Sequence, residues 1–349
     1  MLALGDFTGS GNIDIVALEG TSTEGIICDC IEVLPGNGDG TFGAPISTTP
    51  VPDDVTGFAI AAGDFNDDGK LDVAVSGESF SGDQVDILLG NGNGTFTAGG
   101  SYTVSGTPQS IATGYFTSDK TKLDLAVANS LGSSVSVLLG NGDGTFQQSV
   151  YYPTSFPTWV IAQDLDGDGN IDLAASNAGV PEFTKEYPPG VSVLKGNGDG
   201  TFEPGVFYRS GNKIGVNYVA AGDFNEDHRP DLVLVVESGQ VITLLNTGAV
   251  TFSPSTPLGF GTQAAGTTST ARTVTLTNTG TKPLEILSIK ASPDFVVKSS
   301  CAARVASGAN CTISAWFSPA KQGTKRGAIE IIDSASSKPQ VIELFGTGT

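Results

Sequence analysis

Residues 62–75 read Ala62-Gly63-Asp64-Phe65-Asn66-Asp67-Asp68-Gly69-Lys70-Leu71-Asp72-Val73-Ala74-Val75. An apolar run ends in Gly-Asp-Phe, a polar loop follows, and the loop closes on an acid with apolar residues directly behind it. The pattern recurs from Asp164 and from Asp223, and in weaker form from Asp6 and near Tyr115. A second unit follows each copy, clearest in Leu88-Leu89-Gly90-Asn91-Gly92-Asn93-Gly94-Thr95-Phe96. Its copies begin at Leu34, Leu88, Leu138, Leu194 and Leu244, spaced 54, 50, 56 and 50 residues apart, the last being degenerate. A repeat of about 50 residues without helical periodicity is the size of one four-stranded propeller blade. Within a blade, strand one ends at Gly-Asp-Phe. Strand two is 71–75 or 171–175. Strand three is 85–89 or 135–139 and ends in an Asn-Gly turn of hairpin type. Strand four begins at Thr-Phe. The expected fold class is all-β, with five visible blades, the first lacking its start.

The polar loop carries the chemistry. Its pattern, Asp-x-Asp/Asn-x-Asp-Gly-x-x-Asp, sets side-chain oxygens at positions 1, 3, 5 and 9 and a backbone carbonyl at position 7. Ca²⁺ takes six to eight hard oxygens, and alternation at 1, 3 and 5 lets one tight loop wrap the ion. Glycine at position 6 permits the left-handed turn that aims carbonyl 7 inward. Two loops match fully. One has Asp64, Asn66, Asp68 and Asp72, with Lys70 giving the carbonyl; the other has Asp164, Asp166, Asp168 and Asp172, with Asn170 at position 7. A third has Asp223, Asn225, Asp227, Arg229 and Asp231 but puts His228 where glycine belongs. The first loop, with Asp6, Thr8, Ser10 and Asp14, carries two carboxylates and is expected to bind weakly. The loop at Tyr115-Phe116-Thr117-Ser118-Asp119 has lost its first ligand and gained a residue before Asp124, and is expected to be metal-free. An EF-hand would need an acid at position 12, where this chain has Val75, Ala175 and Leu234. Asp-rich turns without metal are the plain alternative; three matches in register weigh against it.

The Gly-Asn-Gly-Asp-Gly-Thr-Phe unit is only superficially like a phosphate loop. No helix follows it and it has no lysine for phosphate. It reads as a turn, with Phe42, Phe96, Phe146, Phe202 and Phe252 as core anchors; a ligand role for Asp39, Asp143 and Asp199 is the lesser reading.

The net charge of −20 is unevenly spread. Residues 1–252 hold 8 Lys/Arg and 32 Asp/Glu, whereas 253–349 hold 9 and 5. The asymmetry places a domain boundary near residue 252 and argues against nucleic acid as a partner of the acidic part. No apolar run approaches the roughly 20 residues of a membrane span. Cys301 and Cys311 can bridge two strands or a strand and its loop, which fits an oxidising, extracytoplasmic setting. Cys28 and Cys30 are one residue apart, a strained separation for a bridge, and there is no second ligand pair for zinc. The chain enters a repeat at Met1 with no signal peptide ahead of it, so it reads as a fragment or as a product that starts mid-repeat.

Phe42-Gly43-Ala44-Pro45, together with the recurring acidic loop and Gly-rich turn, resembles the FG-GAP repeat of integrin α-subunit propellers and the related bacterial VCBS repeats. The resemblance covers about residues 1–252. It implies a propeller with Ca²⁺ held in loops on one face, in secreted or cell-surface proteins, and such propellers generally have about seven blades. Residues 253–349 resemble the Ig-like domains of the Hydin (ASH) type. The segments 273–289 (Thr-Val-Thr-Leu-Thr-Asn-Thr-Gly-Thr-Lys-Pro-Leu-Glu-Ile-Leu-Ser-Ile), 311–319 (Cys-Thr-Ile-Ser-Ala-Trp-Phe-Ser-Pro) and 345–349 carry that resemblance. Alternation at 273–276, 284–289, 312–317, 328–332 and 341–345 independently gives a β-sandwich, with Trp316 expected in its core.

A catalytic triad needs a histidine, and the only one, His228, sits inside a candidate metal loop. The expected function is therefore non-catalytic. The chain would bind calcium at the cell surface or outside the cell and recognise a protein or carbohydrate, with the ions as structural clips. Trp159 and Tyr151-Tyr152 are the candidate aromatic platform, and core roles are the competing reading. The alternatives are a passive spacer in a larger surface protein, or the non-catalytic part of a secreted polysaccharide-active enzyme.

Overall fold

The computed structural model describes the chain except residues 20–29, 47, 52–55, 80–81, 180–187, 212–214, 225–228, 247–249, 255–256, 280–282 and 335–338. Every element described is a strand. The chain divides into two compact units, with the main boundary between Leu244 and Leu245.

The first unit is a run of five antiparallel sheets. The first contains β1 (Leu2–Gly5), β2 (Asp14–Glu19), β3 (Cys30–Leu34) and β4 (Thr48–Pro50), and the second β5 (Thr56–Gly63), β6 (Asp72–Ser79), β7 (Gly82–Gly90) and β8 (Phe96–Thr103). The third contains β9 (Pro108–Gly114), β10 (Asp124–Asn129), β11 (Ser134–Leu138) and β12 (Val150–Pro153). The fourth has β13 (Pro157–Gln163), β14 (Asp172–Asn177), β15 (Gly190–Leu194) and β16 (Val206–Arg209). The fifth has three strands, β17 (Val216–Gly222), β18 (Asp231–Val236) and β19 (Val241–Leu244). In each sheet the strands pair in sequence order, as hairpin connections dictate.

The second strands explain the absence of polar alternation in the sequence. Every residue of β10 and of β14 is buried, because both faces of the sheet are covered by neighbouring sheets. Small and branched side chains (Ala126, Val127, Ala128; Ala174, Ala175) let sheets approach closely on both sides. The first strands of successive sheets are neighbours: β1 lies beside β5, β5 beside β9, β9 beside β13 and β13 beside β17. One difference from the sequence expectation is the start of the fourth strand. Only β8 begins at the turn phenylalanine; Phe146 and Phe202 instead make isolated bridges to Gly140 and Gly196, and β12 and β16 start later.

The second unit is a β-sandwich. One sheet orders β20 (Val250–Ser253), β22 (Arg272–Asn278), β26 (Asn310–Phe317) and β24 (Phe295–Ser299). The other orders β21 (Leu258–Gln263), β28 (Gln340–Gly348), β27 (Gly323–Asp333), β23 (Leu284–Ala291) and β25 (Arg304–Val305). Phe260, Phe295 and Phe317 stack at its centre, with ring centroids 5.1–6.1 Å apart. Strand β26 shows strict alternation, with Cys311, Ile313, Ala315 and Phe317 buried. Trp316 falls on the opposite face of the strand and is only half-buried, so the core aromatic is its neighbour Phe317. A one-residue difference in register decides this, because strand side chains alternate. Phe252 lies on β20 and packs against the sandwich core, so the aromatic of the degenerate fifth turn stands in the second unit. Cys301 and Cys311 form a disulfide (Cα–Cα 4.9 Å) between the segment after β24 and strand β26. Cys30 is also disulfide-bonded, while Cys28 lies outside the described residues.

Candidate metal-binding loops

Each candidate loop joins the first strand of a sheet to the second. Its tight shape comes from two left-handed residues. Position 6 is left-handed as expected, at Gly11, Gly69 and Gly169 (φ 82°, 81° and 90°). Position 4 is left-handed as well, at Gly9, Asp67 and Gly167 (φ 68°, 57° and 77°). The repeat pattern left position 4 unassigned. The signal was there, because glycine or aspartate, both tolerant of this conformation, fills it in these three loops.

The acid at position 1 organises the turn. Asp64 accepts the backbone N–H of Asp68 (3.1 Å) on one oxygen and that of Gly69 (2.8 Å) on the other. Asp6 does the same with Ser10 (3.0 Å) and Gly11 (2.8 Å). Positions 3 and 5 continue the winding. Asn66 Oδ1 accepts the N–H of Asp68 at 3.1 Å and Asp68 that of Lys70 at 2.9 Å; in the fourth sheet Asp166 accepts from Asp168 at 3.2 Å. In that loop oxygens of Asp164, Asp166 and Asp172 converge within 4.8 Å of one another. In the second sheet the Lys70 ammonium stands 3.2 Å from Asp68 Oδ2. Asp223, Arg229 and Asp231 are described, but Asn225, Asp227 and His228 of the third candidate loop lie outside the described residues.

Position 9 has a second task that the spacing did not reveal. Asp14, Asp72, Asp124, Asp172 and Asp231 open β2, β6, β10, β14 and β18, and all five are buried. One oxygen of each accepts the N–H of the residue at position 2: Phe7 (2.9 Å), Phe65 (2.8 Å), Phe116 (2.8 Å), Leu165 (2.9 Å) and Phe224 (3.0 Å). The other oxygen accepts the N–H of the glycine that opens the Gly-rich turn: Gly36 (2.8 Å), Gly90 (2.7 Å), Gly140 (2.9 Å) and Gly196 (2.8 Å). The carboxylate is thus a strut between loop and turn. The third sheet isolates this role. Its loop lacks the ligand pattern, yet Asp124 keeps both bonds. Burial, opposed by the bonds from Gly140 and Phe116, leaves the Asp124 carboxyl above its usual range. Asp72 is pushed up in the same way, and there the charges of Asp64 and Asp68 add to the effect. A loop of hard oxygens whose charges at Asp64 and Asp68 bear on the buried Asp72 carboxylate is a donor set that suits a calcium ion.

The Gly-rich turns show where Asp39, Asp143 and Asp199 act. Each carboxylate accepts both the N–H and the hydroxyl of the threonine two residues on (Thr41, Thr145, Thr201), which holds its carboxyl below the usual range. Asn93 makes the same pair of bonds to Thr95 in the second sheet. An uncharged amide serves there equally, so the position is a turn cap.

The structure separates the members of the aromatic platform. Tyr152 turns inward: its ring packs edge-on against Phe202 (5.5 Å) and its hydroxyl accepts the Phe202 N–H (3.3 Å). Trp159 is half-buried and packs edge-on against Tyr218 (5.1 Å). Tyr151 is exposed and lines a groove with Ser101, Tyr102, Thr103, Phe146, Gln148 and Ser149.

A family model described as an FG-GAP-like repeat matches residues 6–75, 64–122 and 121–175. The ASPM-SPD-2-Hydin (ASH) model, named for the abnormal spindle-like microcephaly-associated protein, matches residues 249–341. Among solved structures, the ASH/PapD-like domain 7 of human CEP192 aligns with 14% identity over 29% of this chain and 86% of that one, TM-score 0.22. A protein of unknown function from Porphyromonas gingivalis W83 aligns with 14% identity over 51% of this chain and 90% of its own, TM-score 0.25. WR4, a member of the MSP family of C. elegans, aligns with 14% identity over 29% and 99%, TM-score 0.20. No curated protein matches the sequence.

Proposed function

We propose, for a chain that carries FG-GAP-like repeats followed by an ASH domain, a non-catalytic, calcium-binding role at the cell surface or outside the cell, where it recognises a protein or a carbohydrate. The observation that carries the calcium reading is the fourth-sheet loop, whose Asp164, Asp166 and Asp172 oxygens converge within 4.8 Å. The matching loop of the second sheet has the same left-handed pair and the same oxygen-rich winding. Positions 1, 3 and 5 and the carbonyls of Lys70 and Asn170 would hold the ions. Asp72 and Asp172 would contribute whatever lone pairs their strut bonds leave free. Each ion would then clip two strands of one sheet together. The Cys301–Cys311 disulfide supports an oxidising location. Among the described residues no helix is long and apolar enough to cross a membrane. For recognition, the groove beside Tyr151 offers an exposed ring edged by hydroxyl and amide groups, the mixture that suits a sugar face.

Calorimetric titration of chelator-stripped protein with Ca²⁺ tests the first half. Asp164→Asn is expected to remove one site and leave the Asp64 loop titrating. Heat of binding that is absent in the native protein would refute the calcium reading. Tyr151→Ala, assayed against a glycan panel, tests the second half independently.

A further inference from the structure

Neighbouring sheets of the first unit meet along seams whose two ends differ. The strut acid opens the second strand of its sheet, and that end is fastened directly to the sheet before it. Gly94, Gly144 and Gly200 donate their N–H groups to the carbonyls of Phe7, Phe65 and Phe116 (2.9, 2.9 and 3.0 Å), and Phe96, Phe146 and Phe202 pack edge-on against the same rings. The other end of the second strand is polar in the third and fourth sheets. Asn129 closes β10 and Asn177 closes β14, each five residues after the strut acid, and both are fully buried. Each lies in phase with the apolar residues that face the preceding sheet, Leu125 and Val127 in one case and Leu173 and Ala175 in the other.

Both asparagines are satisfied at one end only. Asn129 Nδ2 donates to Ser136 Oγ (2.7 Å) and to the Ser134 carbonyl (3.2 Å). A carbonyl only accepts, so the amide nitrogen points this way and Oδ1 points the other. Asn177 Nδ2 makes the matching bond to Ser192 Oγ (2.9 Å). Both Oδ1 atoms are buried without a hydrogen-bond partner. In the seam between the third and fourth sheets two hydroxyl oxygens share that condition, Thr154 Oγ1 and Ser155 Oγ. Thr154 stands where Val104 stands one repeat earlier: each donates its N–H across the end of the third strand, to Ser133 and Asp83 respectively, and Val104 packs against the following sheet. The segment 154–156 is tied to the strand of Asn177 by the bond from the Ala178 N–H to the Phe156 carbonyl (3.1 Å). The seam at Asn129 has no such hydroxyl from Val104 and offers its amide oxygen alone.

The fold does not demand this polar pair. At the same two positions the fifth sheet has Val236 and Ile242, which pack on an apolar core; Ile242 pairs with Leu234 as Ser192 pairs with Ala175. The second sheet has Gly77 and Asp86 there, and Gln84 and Ser101 donate to the acid. A buried acceptor without a donor is costly, and native interiors supply one. Three such atoms on two segments that are bonded together point to a bound molecule that donates. Its partners are an amide and two hydroxyls, all neutral, and it must fit beside a strand with every residue buried.

We propose that the seam between the third and fourth sheets is a binding site for one ordered water, held by Asn177 Oδ1, Thr154 Oγ1 and Ser155 Oγ. These are the roughly three partners that a buried water takes. The seam is then pinned by direct contacts at its strut end and by a water bridge at the other.

A crystal structure of the full chain that shows bound solvent reads the site directly. A water is expected about 3 Å from Asn177 Oδ1, Thr154 Oγ1 and Ser155 Oγ. In solution, water magnetic relaxation dispersion counts long-lived internal waters. Asn177→Val combined with Ser192→Ile copies the fifth sheet, and this folded variant is expected to lose one of them. Asn177 Oδ1 turned onto a protein donor in the crystal would overturn the proposal. So would anomalous scattering at the site after a rubidium soak, which would make it a cation site, or an unchanged count of long-lived waters in the folded double variant.

Discussion

Asp124→Ala is expected to lower the unfolding free energy of the repeat unit by about 2–6 kcal/mol in denaturant titration. The substitution strands the amides of Phe116 and Gly140, each of which costs about 1–3 kcal/mol when buried without a partner. Asp119→Ala, in the same loop but exposed, should change stability far less. Asp124→Asn should fall between them: its carboxamide can accept one of the two amides but turns its NH₂ toward the other. The pH dependence gives a second readout. The folded-state pKa of Asp124 lies above its ordinary value of 3.8, so the folded protein holds this proton more tightly than the unfolded chain does. The stabilisation from that proton is complete below pH 3.8 and is lost as the pH rises through the folded-state value. In the difference between native and Asp124→Asn profiles, that slope should disappear from the Asn variant. A loss below about 1 kcal/mol for Asp124→Ala would mean that the two amides find other acceptors, and the strut would not be what holds loop to turn.

The sheets were legible because their signals are periodic and local. Spacing of the Gly-Asp-Phe and Gly-rich units located the strands of each four-stranded sheet, and the missing polar face announced burial on both sides. The sandwich was legible in its longer strands, where alternation runs for four residues or more. Strands β21, β24 and β25 lie outside those runs, and β20, expected from its Thr251-Phe252 as the last strand of a repeat, belongs instead to the sandwich. Trp316 shows the limit from the other side. Aromatic size suggests a core position, but the pleat gives that face to residues 311, 313, 315 and 317, and the tryptophan is out of phase by one.

The site was half legible. Oxygen spacing in one loop can be read from one loop, so Asp64, Asn66 and Asp68 stood out. The strut at position 9 joins residues 16 to 24 apart (Asp124 to Gly140, Asp172 to Gly196), and no local pattern encodes its partner. The one clue was Asp124 itself, an acid retained where the rest of the ligand pattern had gone. The turn phenylalanines Phe96, Phe146 and Phe202 are legible in the sequence as anchors, but the rings they pack against, Phe7, Phe65 and Phe116, are not. Their partners lie on the preceding sheet, and a repeat shows only that every unit has both halves, not that the halves meet.

Removing calcium should lower the unfolding temperature of the repeat unit by on the order of 10–20 °C. An ion present at ~100 times its dissociation constant and bound only by the folded state contributes about 2.7 kcal/mol, so two loops contribute about 5 kcal/mol. At this size each kcal/mol moves the midpoint by roughly 2–4 °C. Scanning calorimetry with Ca²⁺ and with EDTA makes the comparison, and the sandwich transition, which has no such loop, should stay in place. Asp164→Ala should remove about half of the calcium-dependent shift, while Asp6→Ala, in a loop with two carboxylates, should leave most of it. Asp124→Ala separates the two jobs of the repeat acids. It should lower the midpoint in both buffers and leave the interval between them intact, because its loop holds the fold without a ligand set. If EDTA leaves the native midpoint unmoved, the oxygens of these loops serve only to wind the turns, and the strut and the inter-sheet phenylalanines alone carry the stability of the repeats.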